Sequence, residues 1–387
     1  MSKKQKGISI GIVGTGRFAQ SFIPLFKGHP LTNRIALCDI NKKRLNENSK
    51  KFSIAETYDS LDEICKSDIQ ALVIITQPWL HAPQAIQAME AGKHVYTAVP
   101  IISSTKGSDD ILDWCDKLIN TCKKTGMYYM MGETSYYYPE VMYCRRQADK
   151  GTFGQFVLGE AQYFHDTDRG GLREIAKHRW GANWNMNKSG GVPMHYPSHS
   201  ISAVVTVMDA HMTEVSAQGY VYPDDDWFRK DTIYANPFSN ETALFRLSNG
   251  ATARICEYRR IGYGCVNFSF YGTEGCFLSG PGGSLWVKGE GEKKTRTFLI
   301  DEKMRGPEAE AVLKHAVKLR SNVYGSHRGS HPFLVNEFLE SINQERQPAI
   351  NAWQTVRYCA PGAVAHKSAL KDGELLKIPD WGDAPER

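Results

Sequence analysis

Apolar positions follow two different regimes along this chain. Up to about residue 130, short continuous β-branched runs alternate with stretches whose apolar residues recur every three or four positions. Residues 8–13 (ISIGIV) open the series, and Ala19, Phe22, Ile23 and Phe26 follow at helical spacing. Next come the run Ile35-Ala36-Leu37-Cys38, a polar helix over 41–52 and a short helix over 60–66. The run 71–75, a helix over 81–91, a strand over 93–96, an amphipathic helix over 109–124 and the run 127–131 complete the rhythm. Runs that are apolar throughout suit strands covered on both faces, and the intervening helices supply the crossovers between parallel neighbours. The first part is therefore expected to be an open, mostly parallel α/β sheet.

Beyond it the pattern shifts. Residues 140–150 read as a helix and 151–154 as a turn. Strand-like runs then dominate to about residue 298: VLGEAQYF, TEVSAQGYVY, ETALFRLSNGATARICEYRRI, CVNFSFYGTEGCFLSG and SLWVKG. Ser248-Asn249-Gly250 and Gly272-Thr273 are hairpin turn signals. The expectation is an α+β domain on a large, mostly antiparallel sheet, interrupted by a long loop over 166–191 and finished by helices over 332–345 and 351–371. At 387 residues the chain exceeds what one core organises, so the division is drawn at 1–130 and 131–387.

Composition narrows the class. With 41% hydrophobic and 23% charged residues, the chain reads as an ordinary soluble protein, and no apolar stretch reaches the ~20 residues of a membrane helix. The start, MSKKQKGISIG, has neither a signal-peptide apolar region nor a cleavage site, which points to the cytoplasm. Nine cysteines without CxxC spacing read as buried thiols in a reducing compartment. A net charge of +5 is too small to argue for nucleic acid, and it suits a small anionic substrate weakly. A large antiparallel sheet often has its open face covered by a second copy, so a homo-oligomer is expected.

The first strand opens into Gly14-Thr15-Gly16-Arg17-Phe18-Ala19, and Asp39 ends the second strand about twenty residues on. Gly14 allows a tight strand-to-helix turn, Gly16 lets a pyrophosphate approach the backbone, and small Ala19 permits close helix packing. The helix N-terminus would favour phosphate charge, and Asp39 would accept from the adenosine ribose hydroxyls. An ordinary glycine turn is the plain alternative; the strand, helix and acid around it favour a dinucleotide. An acid there favours NAD over NADP, although Arg34, Lys42, Lys43 and Arg44 stand nearby.

Three further clusters bear chemistry. Gly190-Gly191-Val192-Pro193-Met194-His195-Tyr196-Pro197-Ser198-His199 precedes an apolar helix over 201–208. His195 and His199 would share a helical face, but Pro197 interrupts it and no carboxylate at suitable spacing completes a metal set, so no metal is expected. Capping and packing is the plain reading of these histidines, and acid–base or substrate-orienting chemistry is the sharper one. Glu133 lies just beyond the 127–131 strand, where open α/β sheets place ligands; a surface acid is the alternative. Tyr136–Tyr138 read as packing. Tyr163 and His165 share one face of an alternating strand. Arg169, Arg173, Lys177, His178, Arg179 and Trp180 in the following loop would grip a polar substrate or carry solvated charge.

These residues resemble the Gfo/Idh/MocA superfamily of nicotinamide-dependent sugar and cyclitol oxidoreductases over nearly the whole chain. The match rests on the glycine turn with Asp39, on Thr76 before Pro78 and His81, on Gly92–Val95 (GKHV), and on Gly190-Gly191 with His199. The resemblance implies a Rossmann NAD-binding domain, a substrate-binding second domain, and cofactor contacts from Gly14, Gly16, Arg17, Phe18, Asp39, Thr76, Trp79 and His81. Two departures stand out. The family's Glu-Lys-Pro triplet is Ala98-Val99-Pro100 here, so its ammonium is missing, and His195 stands where the later motif has an Asp.

A narrower branch is more similar: the NAD-dependent glycoside hydrolases of the α-N-acetylgalactosaminidase and sulfoquinovosidase type. The first of these has Val in place of that Lys, as at Val99. The shared blocks are Met130-Met131-Gly132-Glu133, Gly151–Gly154, Gly159–Asp166 (GEAQYFHD) and Tyr196-Pro197-Ser198-His199. The resemblance implies catalytic or substrate roles for Glu133, Tyr163, Tyr196 and His199 and matches Arg179 to a family arginine, while the residue clusters themselves offer His165, His195 and Trp180 as further substrate contacts.

No clear carboxylate pair of the ordinary glycosidase kind is visible. The expected route is transient oxidation of a sugar ring carbon by NAD, proton removal from the neighbouring C2, loss of the aglycone, water addition and return of the hydride. Tyr163 is the first candidate base and His199 the second; a phenol, with a pKa near ~10, needs nearby positive charge for that work. A net sugar or cyclitol dehydrogenase and a non-catalytic NAD-binding sensor are the rival readings.

Overall fold

A computed structural model of the chain describes residues 7–168, 171–180, 189–279, 283–290, 296–298, 302–317 and 327–386. Its first half alternates β1 (Ile8–Val13), α1 (Ile23–Gly28), β2 (Thr32–Cys38), α2 (Lys42–Phe52), β3 (Thr57–Tyr58) and α3 (Leu61–Lys66). Then come β4 (Ala71–Ile74), α4 (His81–Glu90), β5 (His94–Thr97), α5 (Ser108–Thr125) and β6 (Tyr129–Met131). The six strands form one parallel sheet in the order β3-β2-β1-β4-β5-β6. Every residue of β1 and β4 is buried, as unbroken apolar runs require of central parallel strands. The strand order reverses between β1 and β4, so a crevice opens at their C-terminal ends.

The second half contains α6 (Pro139–Asp149), β7 (Phe156–Phe164), α7 (Leu172–Trp180) and α8 (Ser198–Met208). The strands β8 (Met212–Tyr220), β9 (Asn240–Leu247), β10 (Thr252–Tyr258), β11 (Cys265–Gly272), β12 (Gly275–Leu278), β13 (Gly283–Val287) and β14 (Arg296–Phe298) follow. The chain ends with α9 (Ala309–Val317), α10 (His331–Asn343), α11 (Ala352–Ala369) and β15 (Leu376–Lys377). Nine strands make the second sheet, in the order β14-β13-β12-β11-β7-β10-β9-β8-β15. Its described pairs are antiparallel except β7 with β10. The expected turns at Ser248–Gly250 and Gly272-Thr273 close the β9–β10 and β11–β12 hairpins. Helix α8 covers the inner face of this sheet, while α11 returns to pack on α5 of the first half.

Two expectations about local structure need correction. The helix after the glycine turn is not continuous: Ala19–Ser21 forms a single 3-10 turn, and regular α-helix starts only at Ile23. Pro24 has no N–H to donate to the Gln20 carbonyl, so the first turn tightens instead of propagating. The segment over 166–191 is not all loop, because it contains α7. Its apolar stripe, Leu172, Ile175 and Ala176, is short and set among charged residues, which hides the helical period.

Candidate active site

The crevice at the ends of β1 and β4 has the form that a dinucleotide needs. Gly14 adopts φ of 84°, and a Cβ there would lie 2.6 Å from the Ile75 carbonyl oxygen, so no other residue fits this turn. At Gly16 a Cβ would meet only the Arg44 guanidinium, at 3.6 Å, leaving the backbone open to a phosphate. Arg17 and Phe18 are exposed on the same turn. Asp39 is buried; one carboxylate oxygen accepts from the Thr15 amide and hydroxyl, both at 2.9 Å, and the other from the Asn41 amide at 2.8 Å. The acid therefore fastens the glycine turn to the end of β2, and its carboxylate keeps further acceptor capacity. Arg34 is paired with Glu56 and Asp68, and Lys42 with Asp59, which withdraws both cations from a 2′-phosphate.

His81 is buried and works as a fastener. Its Nδ1 lies 2.8 Å from the Pro100 carbonyl and its Nε2 3.2 Å from the Thr76 carbonyl, linking the turns after β4 and β5. Thr76 donates to Gln84 at 2.7 Å, and Trp79 lies half-buried on the turn between them.

Beyond the end of β6 the chain enters the second constellation. Glu133 Oε1 lies 2.7 Å from His199 Nδ1 and accepts from the Ser135 amide at 2.9 Å. Both side chains are buried, Glu133 completely. Burial alone would raise the Glu133 carboxyl, but the facing imidazole, with Ser198 and the Ser135 amide, holds it below the usual carboxylate range. Burial would lower His199, and Glu133 more than reverses this, so the imidazole is held above its ordinary value. The result is a buried carboxylate–imidazole pair in which each group favours the charged form of the other.

Aromatic rings surround it. The Tyr163 ring centroid is 5.2 Å from that of His199, and the Tyr196 ring is 5.3 Å away on another side. Tyr163 Oη lies 3.1 Å from His165 Nδ1, so the alternation of β7 brings these two groups together as expected. Burial pushes the Tyr163 phenol well up, opposed by the Arg259 guanidinium 5.1 Å from its ring. Arg259 is itself paired with buried Glu257 at 2.9 Å, and Ser200 donates to the same carboxylate. Burial, opposed by Arg259, leaves Glu257 raised to about 7.

His195 goes elsewhere. Its Nε2 sits 3.0 Å from Ser108 Oγ at the start of α5, and its ring lies edge-on to His366 at 5.1 Å. Burial, then His366, holds it well below the ordinary imidazole value, so it is a neutral contact between the two halves. Val99, at the position of the missing ammonium, packs half-buried against the apolar core. Arg173 is held by Asp168 and Asp226. Arg169 and the side chains of Arg179 and Trp180 lie outside the described residues. Among the described residues no cluster of three or more His, Cys, Asp or Glu side chains is arranged for a metal ion.

Sequence reasoning passed over His327, whose ring stacks near that of His199 at 6.3 Å, and over Arg259 and Glu257. Arg259 and Glu257 were legible as the end of an alternating strand beside β7; His327 had no such signal.

Comparison with known proteins agrees with this geometry. The model of the oxidoreductase family with an NAD-binding Rossmann fold matches residues 8–133, and that of the Gfo/Idh/MocA C-terminal domain matches residues 141–278. The chain belongs to the Gfo/Idh/MocA family. It is thus an NAD-dependent enzyme by family, and the glycine turn, Asp39 and the open backbone at Gly16 fit that cofactor. Among curated relatives, the α-N-acetylgalactosaminidase of Tannerella forsythia is 22% identical across 97% of this chain and 86% of its own length. A glycosyl hydrolase family 109 protein of Solibacter usitatus is 24% identical across 98% of this chain and 91% of its own. A solved levoglucosan dehydrogenase, in complex with NADH and levoglucosan, shares this Gfo/Idh/MocA fold with a TM-score of 0.76. It covers 97% of this chain and all of its own, at 15% identity. No helix among the described residues is long and apolar enough to cross a membrane.

Proposed function

We propose that this protein is an NAD-dependent glycoside hydrolase that cleaves its substrate without net redox change. The observation that carries this reading is the presence of two proton-handling pairs, Glu133–His199 and Tyr163–His165, whose rings meet at 5.2 Å. A plain dehydrogenase must manage one proton, that of the oxidised hydroxyl. Hydrolysis by elimination must manage a second, from the neighbouring carbon. The absence of an ammonium at Val99 and the similarity to the Tannerella and Solibacter proteins support the same choice.

The glycine turn and Asp39 would hold NAD, which would supply reversible hydride acceptance at a sugar ring carbon, with no net oxidation of the sugar. His199 takes the hydroxyl proton in its neutral form, which becomes available as pH rises through the value that Glu133 holds up. Tyr163 is assigned to the C2 proton. Its phenol is neutral at rest, so it acts together with His165, whose Nδ1 accepts the phenolic proton while Arg259 stabilises the phenolate. The aglycone leaves as its bond to C1 breaks, water adds its hydroxyl at C1 while its released proton balances the aglycone oxygen, and the same groups return the C2 and hydroxyl protons. Tyr196 positions the sugar, the glycine turn positions the dinucleotide, and the aromatic surround excludes water.

The Glu133–His199 pair alone would also serve a net sugar or cyclitol dehydrogenase, the second reading. For the assembly, the outer face of the nine-stranded sheet mixes Leu158, Leu244, Leu278 and Trp286 with the Glu160–Arg254 ion pair; a second copy of the chain covers it.

The test is a panel of neutral and anionic chromogenic α- and β-glycosides, with and without added NAD, following aglycone release and NADH absorbance together. Aglycone release without net NADH, with deuterium at C2 of sugar recovered from D₂O, is the expected result. NADH rising in step with substrate and no aglycone would replace this reading with the dehydrogenase.

A further inference from the structure

Two consecutive residues of the second half, His327 and Arg328, hold left-handed backbone conformations with φ of 57° and 51°. Such a pair persists only where its surroundings over-determine it. Here Arg328 supplies the anchors. Its guanidinium pairs with buried Glu140, donates to the Val266 carbonyl at 2.9 Å and lies over the Tyr138 ring at 4.9 Å. The Arg328 carbonyl in turn accepts from the Arg305 guanidinium. The backbone at 327 is thus pinned from several directions, and the position of its side chain follows.

That side chain joins a continuous series of rings. His327 lies near-parallel to His199, at 6.3 Å and 28°. Its Nδ1 is 3.2 Å from His331 Nε2 at the start of α10. The His331 ring packs at a tilt of 30° against Phe22, 4.4 Å away, and meets Phe18 edge-on at 5.7 Å. Phe18 belongs to the glycine turn that faces the dinucleotide, so the series runs from that turn to the buried Glu133–His199 pair. Burial, reinforced by neighbouring histidines, pushes His327 down to about 4 and His331 down to about 3. Both are neutral near pH 7, so neither repels the His199 imidazolium.

We propose that His327 is a positioning residue for His199: it covers one face of the ring, keeps Nδ1 on Glu133 and Nε2 toward the sugar, and ties this orientation to the dinucleotide turn through His331 and Phe18. The inference rests on His199 as a proton-handling group. It adds a residue outside the motifs that carry the reaction.

The experiment is proton exchange in the NAD-loaded protein. The Nδ1 proton that His199 shares with Glu133 should give a low-field NMR signal, assigned by its loss in His199→Gln. His327→Asn removes the ring but keeps a residue that tolerates left-handed backbone. In that variant exchange of the proton should accelerate at least about tenfold, the equivalent of about 1.4 kcal/mol in local opening, while β1 amides keep their protection. His327→Phe, which restores a ring, should remain within about twofold of the wild type. Phe18→Ala should also accelerate exchange, and should add nothing in the His327→Asn background. An unchanged rate in His327→Asn, equal acceleration in His327→Phe, or matching loss across the β1 amides would overturn the proposal. Exchange is read without turnover, so a protein that shows the effect and cleaves no glycoside would sink only the hydrolase reading.

Discussion

Replacing Glu133 by Gln separates charge from hydrogen bonding at the centre of the site. The amide oxygen can still accept from the Ser135 amide and from His199 Nδ1, now 2.9 and 2.7 Å from Glu133 Oε1. What disappears is the negative charge facing a buried imidazolium. Breaking one side of such a pair costs about 3–5 kcal/mol, and the retained hydrogen bonds place this case near the lower end, about 3 kcal/mol. The loss must depend on pH. His199 is raised above 6.5, so its contribution to stability is fully present below 6.5 and is lost as pH rises through the raised value. Glu133 is lowered below 4.5, so its contribution is present above 4.5 and is lost as pH falls through the lowered value. The pair therefore stabilises the fold most between these limits. Urea unfolding of wild type and Glu133→Gln near pH ~5.5 should differ by about 3 kcal/mol, and the difference should shrink toward pH ~9 as pH rises through the raised value of His199. A difference of the same size at both pH values would refute the ion pair.

Gly14→Ala should weaken NAD binding at least about tenfold in calorimetry and lower stability by about 1–2 kcal/mol or more, since the left-handed backbone and the Ile75 carbonyl at 2.6 Å both oppose a Cβ. Tyr163→Phe should slow deuterium incorporation at C2 of the sugar by about 10²–10⁴-fold with the NAD dissociation constant unchanged, as measured in D₂O by NMR. Asp39→Ala frees Thr15 from its carboxylate and leaves Arg44 beside the ribose position. The ratio of NAD to NADP affinity should therefore fall by about tenfold or more, read by titration of intrinsic fluorescence.

Periodicity exposed most of the architecture because the two sheets bury their strands differently. The unbroken runs at β1 and β4 could only be parallel and covered, while β9 and β10 alternate inward and outward residues around Ser248–Gly250. Where a single residue overrides the period, the pattern misled: Pro24 breaks the helix after the glycine turn, and α7 lacks enough apolar positions to announce itself. The candidate site was partly legible for a related reason. Glu133, Tyr163, Tyr196 and His199 each stand at a strand end or helix start, and the fold does bring them together. His195 lies only four residues from His199, yet Pro197 turns the chain between them and sends it to Ser108. His327 was invisible because its position depends on a left-handed backbone pinned by Glu140 and Val266, which no local pattern encodes.

Neither half of the molecule holds the Glu133–His199–Tyr163 cluster alone. Glu133 extends from the last strand of the parallel sheet, whereas His199 and Tyr163 belong to α8 and β7 of the second half. The 2.7 Å contact between Glu133 and His199 is therefore also a contact across the junction of the two sheets. The surrounding bonds keep that junction in register: His195 on Ser108, Lys367 on Asp109, and the Met131 amide on the Ile350 carbonyl. Displacing one half from the other would separate a buried carboxylate from its imidazole, leaving each group desolvated and unpaired. That penalty favours the docked arrangement, which also brings the Tyr163 ring to 5.2 Å from that of His199. The stability of the junction and the geometry of the cluster thus rest on the same contact, and Ser108 and Asp109 on α5 support it from a distance.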